Sequence, residues 1–179
     1  VVGGSSAGGM SAALVAYDLE LQKRYGLDGS KVLAFVSCAA VLDAADMLVD
    51  YAPPGPVGTA VLRSGLDLPG CDVSDRDSVR AALRPFSPLD IVRTEAVDGV
   101  VPPVPYFGVH GVADETSPIE TERAFAAEIS RALGPSSSTL HEVEDPRWQH
   151  MVTTVTMHKR QVETDPVLSH LFSWLDDVL

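Results

Sequence analysis

Ser6 sits in Gly4-Ser5-Ser6-Ala7-Gly8, a Gly-x-Ser-x-Gly set between two apolar residues and a stretch of helical period. That spacing is a nucleophile elbow: a turn so tight that the serine takes a strained backbone and the residues two places either side must be small. A serine at a helix N-terminus also faces backbone N–H groups that stabilise a developing oxyanion. Such a serine needs a base, and the base needs an acid to orient it. In a strand–helix fold the acid and histidine follow the serine in that order, each after a strand. Asp114 follows the apolar run Val104 to His110, with Glu115 beside it as the alternative acid. Five histidines compete for the base. His110 ends a strand, His141 lies within one, and His158 and His170 fall in polar or helical segments near the C-terminus. His150 follows the last strand after a short loop and alone has the required position. The expected set is therefore Ser6, Asp114 and His150, with the Ala7 N–H as one oxyanion donor. Ser5 lies beside the substrate, and Trp148 is a candidate wall of its pocket, or else an indole packed on its loop.

The elements that must position these residues alternate. Val1-Val2 ends a buried strand before a Gly-rich turn, and a helix is expected from about Met10 to Arg24, stopped by Gly26. Lys31 to Ser37 holds the apolar run of a strand buried on both faces. From Ala39 to about Pro88 the pattern weakens, with loop signals at Pro53-Pro54-Gly55-Pro56 and Leu68-Pro69-Gly70 and a short helix over Ser78–Leu83. After the strand of Val104–His110, Ser117 reads as an N-cap, Pro118 as the first helical residue and Glu120 as the partner in a capping box. That helix presents Phe125, Ile129, Ala132 and Leu133 and ends at Gly134-Pro135. Thr139 to Val143 alternates as a strand. A last helix starts at Asp165-Pro166, with Leu168, Leu171, Phe172 and Leu175 on one stripe. Strands alternating with helices imply an α/β fold with a mostly parallel sheet, whose chemistry gathers at the carboxyl ends of the strands.

Composition narrows the function classes. The chain has 179 residues, 45% apolar and 21% charged, with a net charge of −12. This is one domain's worth of chain, and it is too apolar for disorder. The acidic balance argues against nucleic acid, which needs clustered Lys and Arg. No run approaches the ~18–20 apolar residues of a membrane span. Two cysteines, Cys38 and Cys71, exclude a disulfide framework, and no His/Asp/Glu cluster has metal-ligand spacing. No metal or other cofactor is expected, and the compartment stays open.

Gly-x-Ser-Ala-Gly-Gly at Gly4–Gly9, Ser87-Pro88-Leu89, and the stretch from Pro102-Pro103 through His110-Gly111 to Asp114 together carry a resemblance. The chain resembles the carboxyl-terminal half of an α/β-hydrolase, in particular the hormone-sensitive-lipase-like group of carboxylesterases, over nearly all 179 residues. Two positions depart from that group: Ser5 stands where it usually has Asp, and Met151-Val152 follow His150 where a Gly-Phe pair is common. The resemblance implies a single partial hydrolase domain over 1–179, from the elbow strand onward, with an irregular excursion at about 44–88. It implies Ser6 as nucleophile, Asp114 as acid, His150 as base, and a small-molecule ester as substrate. It also implies a partner: a segment of the same fold carrying the preceding strands and a His-Gly-Gly-type oxyanion loop. Without that segment the first strand exposes an apolar edge, so a second copy of the chain is a further candidate partner.

Two other readings are open on sequence. One is a hydrolase-fold protein that binds a ligand without turnover, since fold does not fix function. The other is a flavin- or dinucleotide-binding domain, which the opening glycines suggest. That class needs Gly-x-Gly-x-x-Gly and an acidic residue ending the second strand. Here Ser5 takes the place of the second glycine, and no Asp or Glu occurs after that strand until Asp43.

Overall fold

The structure is a computed structural model that describes residues 1–51, 71–72, 74–145, 150 and 166–179. Its centre is a four-stranded sheet in the order β1 (Val2–Ser5), β2 (Phe35–Cys38), β3 (Tyr106–Gly111) and β4 (Ser138–Val143). All three neighbouring pairs run parallel. All four strands therefore end on the same edge of the sheet, which carries Ser6, the loop after Gly111 and the segment after Val143.

Both faces of the sheet are covered, as a parallel sheet requires. On one face, α1 (Ala7–Tyr17), α5 (Pro88–Asp98) and α6 (Ile119–Leu133) pack against Phe35 and Tyr106. Tyr17, Phe35, Tyr106 and Phe125 form the centre of that core, with ring centroids 5.1 to 5.9 Å apart across their closest contacts. The Tyr17 hydroxyl, buried with them, donates to the Val104 carbonyl at 2.8 Å. On the other face, α7 (Pro166–Val178) lays Val167, Leu171 and Trp174 over Cys38, Phe107 and Val109. Successive residues of β3 thus serve opposite cores, the period of two expected of a strand.

Several elements differ from the sequence reading for identifiable reasons. β1 does not end at Val2 but runs to Ser5, because Gly3 and Gly4 pair with Val36 and Ser37 of β2. A Cβ on Gly3 would stand 2.7 Å from the Val36 carbonyl oxygen, so the glycines permit a close strand contact rather than a turn. The single helix expected to reach Arg24 is broken at Asp18. That residue ends α1 in an extended conformation and caps α2 (Leu19–Tyr25), its carboxylate accepting from the Leu21 N–H at 2.8 Å. Small residues cover the sheet from α1: Gly9, Ala12, Ala13 and Ala16 are buried with Tyr17, while Met10 and Leu14 are half-buried.

Within the segment 44–88, the described residues include α3 (Ala44–Tyr51) and α4 (Arg76–Leu83), the latter capped by Asp75. Helix α5 follows, with Ser87 at its N-cap, Pro88 in its first turn and Gly99 closing it in the left-handed region; the sequence reading had no helix there. The expected capping box of α6 does not form. Pro118 is the N-cap residue, the Ser117 hydroxyl donates to the Ala40 carbonyl at 3.1 Å, and exposed Glu120 lies beside Arg123. Ser117 is thus tied to the adjacent strand end rather than to its own helix. In α7, Trp174 takes the buried place expected of Phe172, which is 48% exposed.

Candidate active site

The elbow is built by close backbone contact. A Cβ on Gly4 would lie 2.4 Å from the carbonyl carbon of Gly8, and one on Gly9 would lie 2.4 Å from the Ala40 Cβ. A Cβ on Gly8 meets nothing within 4 Å. The expectation that both Gly4 and Gly8 must be small is therefore corrected. The turn needs glycine at 4 and 9, and Gly8 contributes the backbone that Gly4 approaches. Between them Ser6 adopts φ 53° and ψ −128°, a left-handed-side conformation that costs a non-glycine residue about 1–3 kcal/mol. Its backbone is held on both sides. The Ser6 N–H donates to the Cys38 carbonyl at 3.1 Å, and the Ser6 carbonyl accepts from Gly9, Met10 and Val41 at 3.0, 3.2 and 3.3 Å.

Asp114 lies in the loop after β3. Its N–H donates to the Gly111 carbonyl at 3.1 Å, closing a turn. One carboxylate oxygen, Oδ1, accepts from the N–H groups of Thr116 at 2.8 Å and Ser117 at 3.0 Å. The other, Oδ2, faces the Nδ1 of His150 at 2.9 Å. The opposite ring nitrogen of His150, Nε2, lies 2.7 Å from the Ser6 Oγ. Residues separated by 144 positions in the chain meet here at hydrogen-bond distance. The carboxylate side chain is 1% exposed and the imidazole 13%, so the acid is shielded while the ring reaches the surface.

The chemistry available follows from the donors and acceptors. An imidazole whose Nδ1–H donates to a carboxylate presents a lone pair at Nε2, and that lone pair accepts the hydroxyl proton of Ser6. Ala7 opens α1, so its N–H is among the first-turn donors without an intrahelical acceptor. Ser5 ends β1 opposite Cys38, and Trp148 lies outside the described residues. Glu115, the alternative acid, is exposed. His141 and His170 face each other, Nδ1 to Nδ1 at 3.2 Å, and His158 lies outside the described residues.

Behind Asp114 stands a group that the sequence reading did not find. His110 is fully buried. Its Nδ1 bonds Glu122 of α6, which is buried as well. Its Nε2 lies 2.7 Å from the Ser117 carbonyl and 3.4 Å from Asp114 Oδ2. Glu122 also takes the Tyr106 hydroxyl at 2.8 Å and bonds the Ser37 hydroxyl. The sequence did hold a signal. Ile119, Glu122, Phe125 and Ile129 recur at the spacing of one buried stripe, and a glutamate on such a stripe needs a buried partner.

No family model matches the chain, and no curated protein sequence matches it. Solved structures do. The butyrate-bound thermophilic esterase of Thermogutta terrifontis superposes with a TM-score of 0.59 at 22% identity, over 98% of this chain and 55% of its own. The native form of that esterase gives 0.55 at 23% identity, over 98% and 51%. An acetyl ester-xyloside bifunctional hydrolase from Caldicellulosiruptor lactoaceticus gives 0.58 at 19% identity, over 98% and 55%. The chain thus spans about half the length of the esterases it resembles and shares their fold over that half: the parallel sheet and flanking helices of a partial α/β-hydrolase. Among the described residues no helix is long and apolar enough to cross a membrane, and no group of three His, Cys, Asp or Glu side chains is placed to hold a metal ion.

Proposed function

We propose that this chain carries the nucleophile, base and acid of a serine hydrolase that cleaves small carboxylic esters through an acyl-enzyme. One observation carries the reading: the continuous contact from Ser6 Oγ to His150 Nε2 at 2.7 Å and from His150 Nδ1 to Asp114 Oδ2 at 2.9 Å. The strained conformation of Ser6 and the esterase fold of the structural relatives support it.

In this mechanism the Ser6 oxygen attacks the ester carbonyl while its proton passes to His150 Nε2. Asp114 accepts from Nδ1–H throughout, fixing the tautomer and stabilising the imidazolium that forms. The Ala7 N–H donates to the oxyanion, and Ser5 borders the substrate. Collapse of the tetrahedral intermediate breaks the carbon–oxygen bond to the alcohol, which takes the proton from Nε2. A water then attacks the acyl-enzyme and gives its proton to His150. The second collapse releases the acid and returns the proton to Ser6. The remaining oxyanion donors come from a segment of the same fold that pairs beside β1. No step requires a metal or an organic cofactor.

The test is hydrolysis of p-nitrophenyl butyrate by the natural full-length chain and its Ser6→Ala variant. Loss of the nucleophile lowers kcat by about 10⁴–10⁶-fold. Turnover within tenfold of the unaltered protein would refute the assignment.

A further inference from the structure

We propose that Glu122 and His110 form a buried ion pair whose work is to position Asp114: His110 stands as an imidazolium behind the Asp114 carboxylate and restrains the basicity of His150 through it. The proposal rests on reading Ser6, His150 and Asp114 as the reacting set.

The charge state follows from the partners. Ser117 offers His110 a carbonyl oxygen, which only accepts, so Nε2 carries a proton. At Nδ1 the partner is a Glu122 oxygen. The other oxygen of Glu122 meets two hydroxyls, those of Tyr106 and Ser37. Both hydroxyls donate to that one oxygen, so we assign the oxygen facing His110 as an acceptor, to which Nδ1 donates as well. With both ring nitrogens donating, the ring is an imidazolium. Burial alone pushes His110 down; the bond and charge of Glu122, the Ser117 carbonyl and the Asp114 charge outweigh it and raise the group above its ordinary value.

Among the described residues, Glu122 faces the ring from α6, and Tyr106 from its own strand through Glu122. Asp114 lies in the following loop, with His150 beyond it. Glu142 is the register partner of His110 on β4 and is itself held by Arg123. The positive end of the pair points at the site, because His110 lies between Glu122 and Asp114.

The geometry gives that charge a purpose beyond packing. Asp114 Oδ2 stands between two imidazoles, 2.9 Å from His150 Nδ1 and 3.4 Å from His110 Nε2. The Ser117 carbonyl that His110 grips belongs to the residue whose N–H binds Asp114 Oδ1. His110 therefore touches the carboxylate both directly and through its loop. A buried ion pair is a costly way to fill a core, since apolar residues of the same volume are often as stable or more so. Here the pair sets the charge behind the acid.

The experiment compares kcat/KM against pH for the natural full-length chain, Glu122→Gln and Glu122→Asp, with Ser6→Ala as control, using p-nitrophenyl acetate. In Glu122→Gln the amide nitrogen faces His110 Nδ1, which must then accept, so His110 becomes neutral. Asp114 loses the positive charge behind it and favours a protonated His150. The acidic limb of the profile then moves up by about half a pH unit. Asp114, gripped less firmly through Ser117, also holds His150 less precisely, so kcat falls by roughly 3- to 10-fold with KM unchanged, the size of coupling usual within one hydrogen-bonded network. Glu122→Asp, which keeps the charge, restores the limb. A folded Glu122→Gln protein with an unmoved limb and unchanged kcat overturns the proposal, while an inactive Ser6→Ala leaves the reading of the site standing. Active Ser6→Ala overturns that reading and the proposal built on it. If Glu122→Gln does not fold, ¹H–¹⁵N spectra of the histidine rings in the unaltered protein decide. Both His110 nitrogens protonated at pH 8 supports the pair, and one bare nitrogen overturns it.

Discussion

The two glycines that flank the nucleophile in Gly4-x-Ser6-x-Gly8 answer oppositely to the same substitution. In Gly4→Ala the new methyl meets backbone on all sides: the Gly8 carbonyl carbon and oxygen at 2.4 Å and the Gly9 nitrogen at 2.7 Å. Ordinary carbon contacts lie at about 3.5–4.0 Å, so strand and helix must part by about 1 Å. No flexible side chain is there to yield, and overpacking of this kind costs about 1–3 kcal/mol. The displacement falls on the turn that holds Ser6 Oγ 2.7 Å from His150 Nε2. A misplacement of about 1 Å in reacting groups costs about 10²-fold in rate. Gly8→Ala places its methyl in open space in the first turn of α1, where relief of glycine's backbone entropy adds about 0.5 kcal/mol. Urea melts and p-nitrophenyl butyrate turnover of both variants check this. Gly4→Ala melts early and is nearly inactive, while Gly8→Ala melts slightly late and retains its rate. Equal behaviour of the two variants, in either direction, would refute the account of the elbow.

Further outcomes follow from other parts of the molecule. Phe125→Ala, which empties the centre of the larger core, lowers stability by about 3–5 kcal/mol in a denaturant melt. Burial raises the carboxyl of Glu95 to about 7, against the Leu19 N–H and helped by the charge of Asp18. A folded value above the unfolded one means the stabilisation is complete below about pH 4.5 and is lost as pH rises through 7. Glu95→Gln therefore raises Tm at pH 8 and leaves it unchanged at pH 4; with the group half exposed, the gain is about 1 kcal/mol. Among the described residues β1 pairs only with β2, and a strand edge left unpaired invites association. The 179-residue segment expressed alone is expected to associate or remain inactive until a strand-bearing segment is supplied, which light scattering and ester turnover measure.

How much of this was legible in the sequence depends on how local each signal was. The order of strands and helices could be read because β2 and β3 are short apolar runs and because α6 has a regular stripe. The positions of Ser6, Asp114 and His150 at strand ends were equally readable, since parallel strands bring their carboxyl ends to one edge. The break at Asp18 was hidden, because Leu21 continues the helical period across it. The capping box failed because the Ser117 hydroxyl is turned to donate to the Ala40 carbonyl, which only the fold brings near. Helix α5 buries only Pro88, Leu89 and Val92 in an otherwise polar sequence, too short an apolar stripe to mark a helix by its period. Glu122 was passed over because a glutamate in a helix ordinarily faces water. Its three partners, His110, Tyr106 and Ser37, come from two strands and converge only in three dimensions.

The central claim is that Ser6 forms an acyl-enzyme. The most direct measurement is peptide mapping by mass spectrometry after the natural full-length chain reacts with a fluorophosphonate, which traps an activated serine as a stable adduct. The account predicts one adduct per chain, on Ser6 and on neither Ser5 nor Ser11, and its disappearance in His150→Gln, where the base is removed but the serine remains. An adduct on another serine, or undiminished labelling of Ser6 without His150, would contradict it.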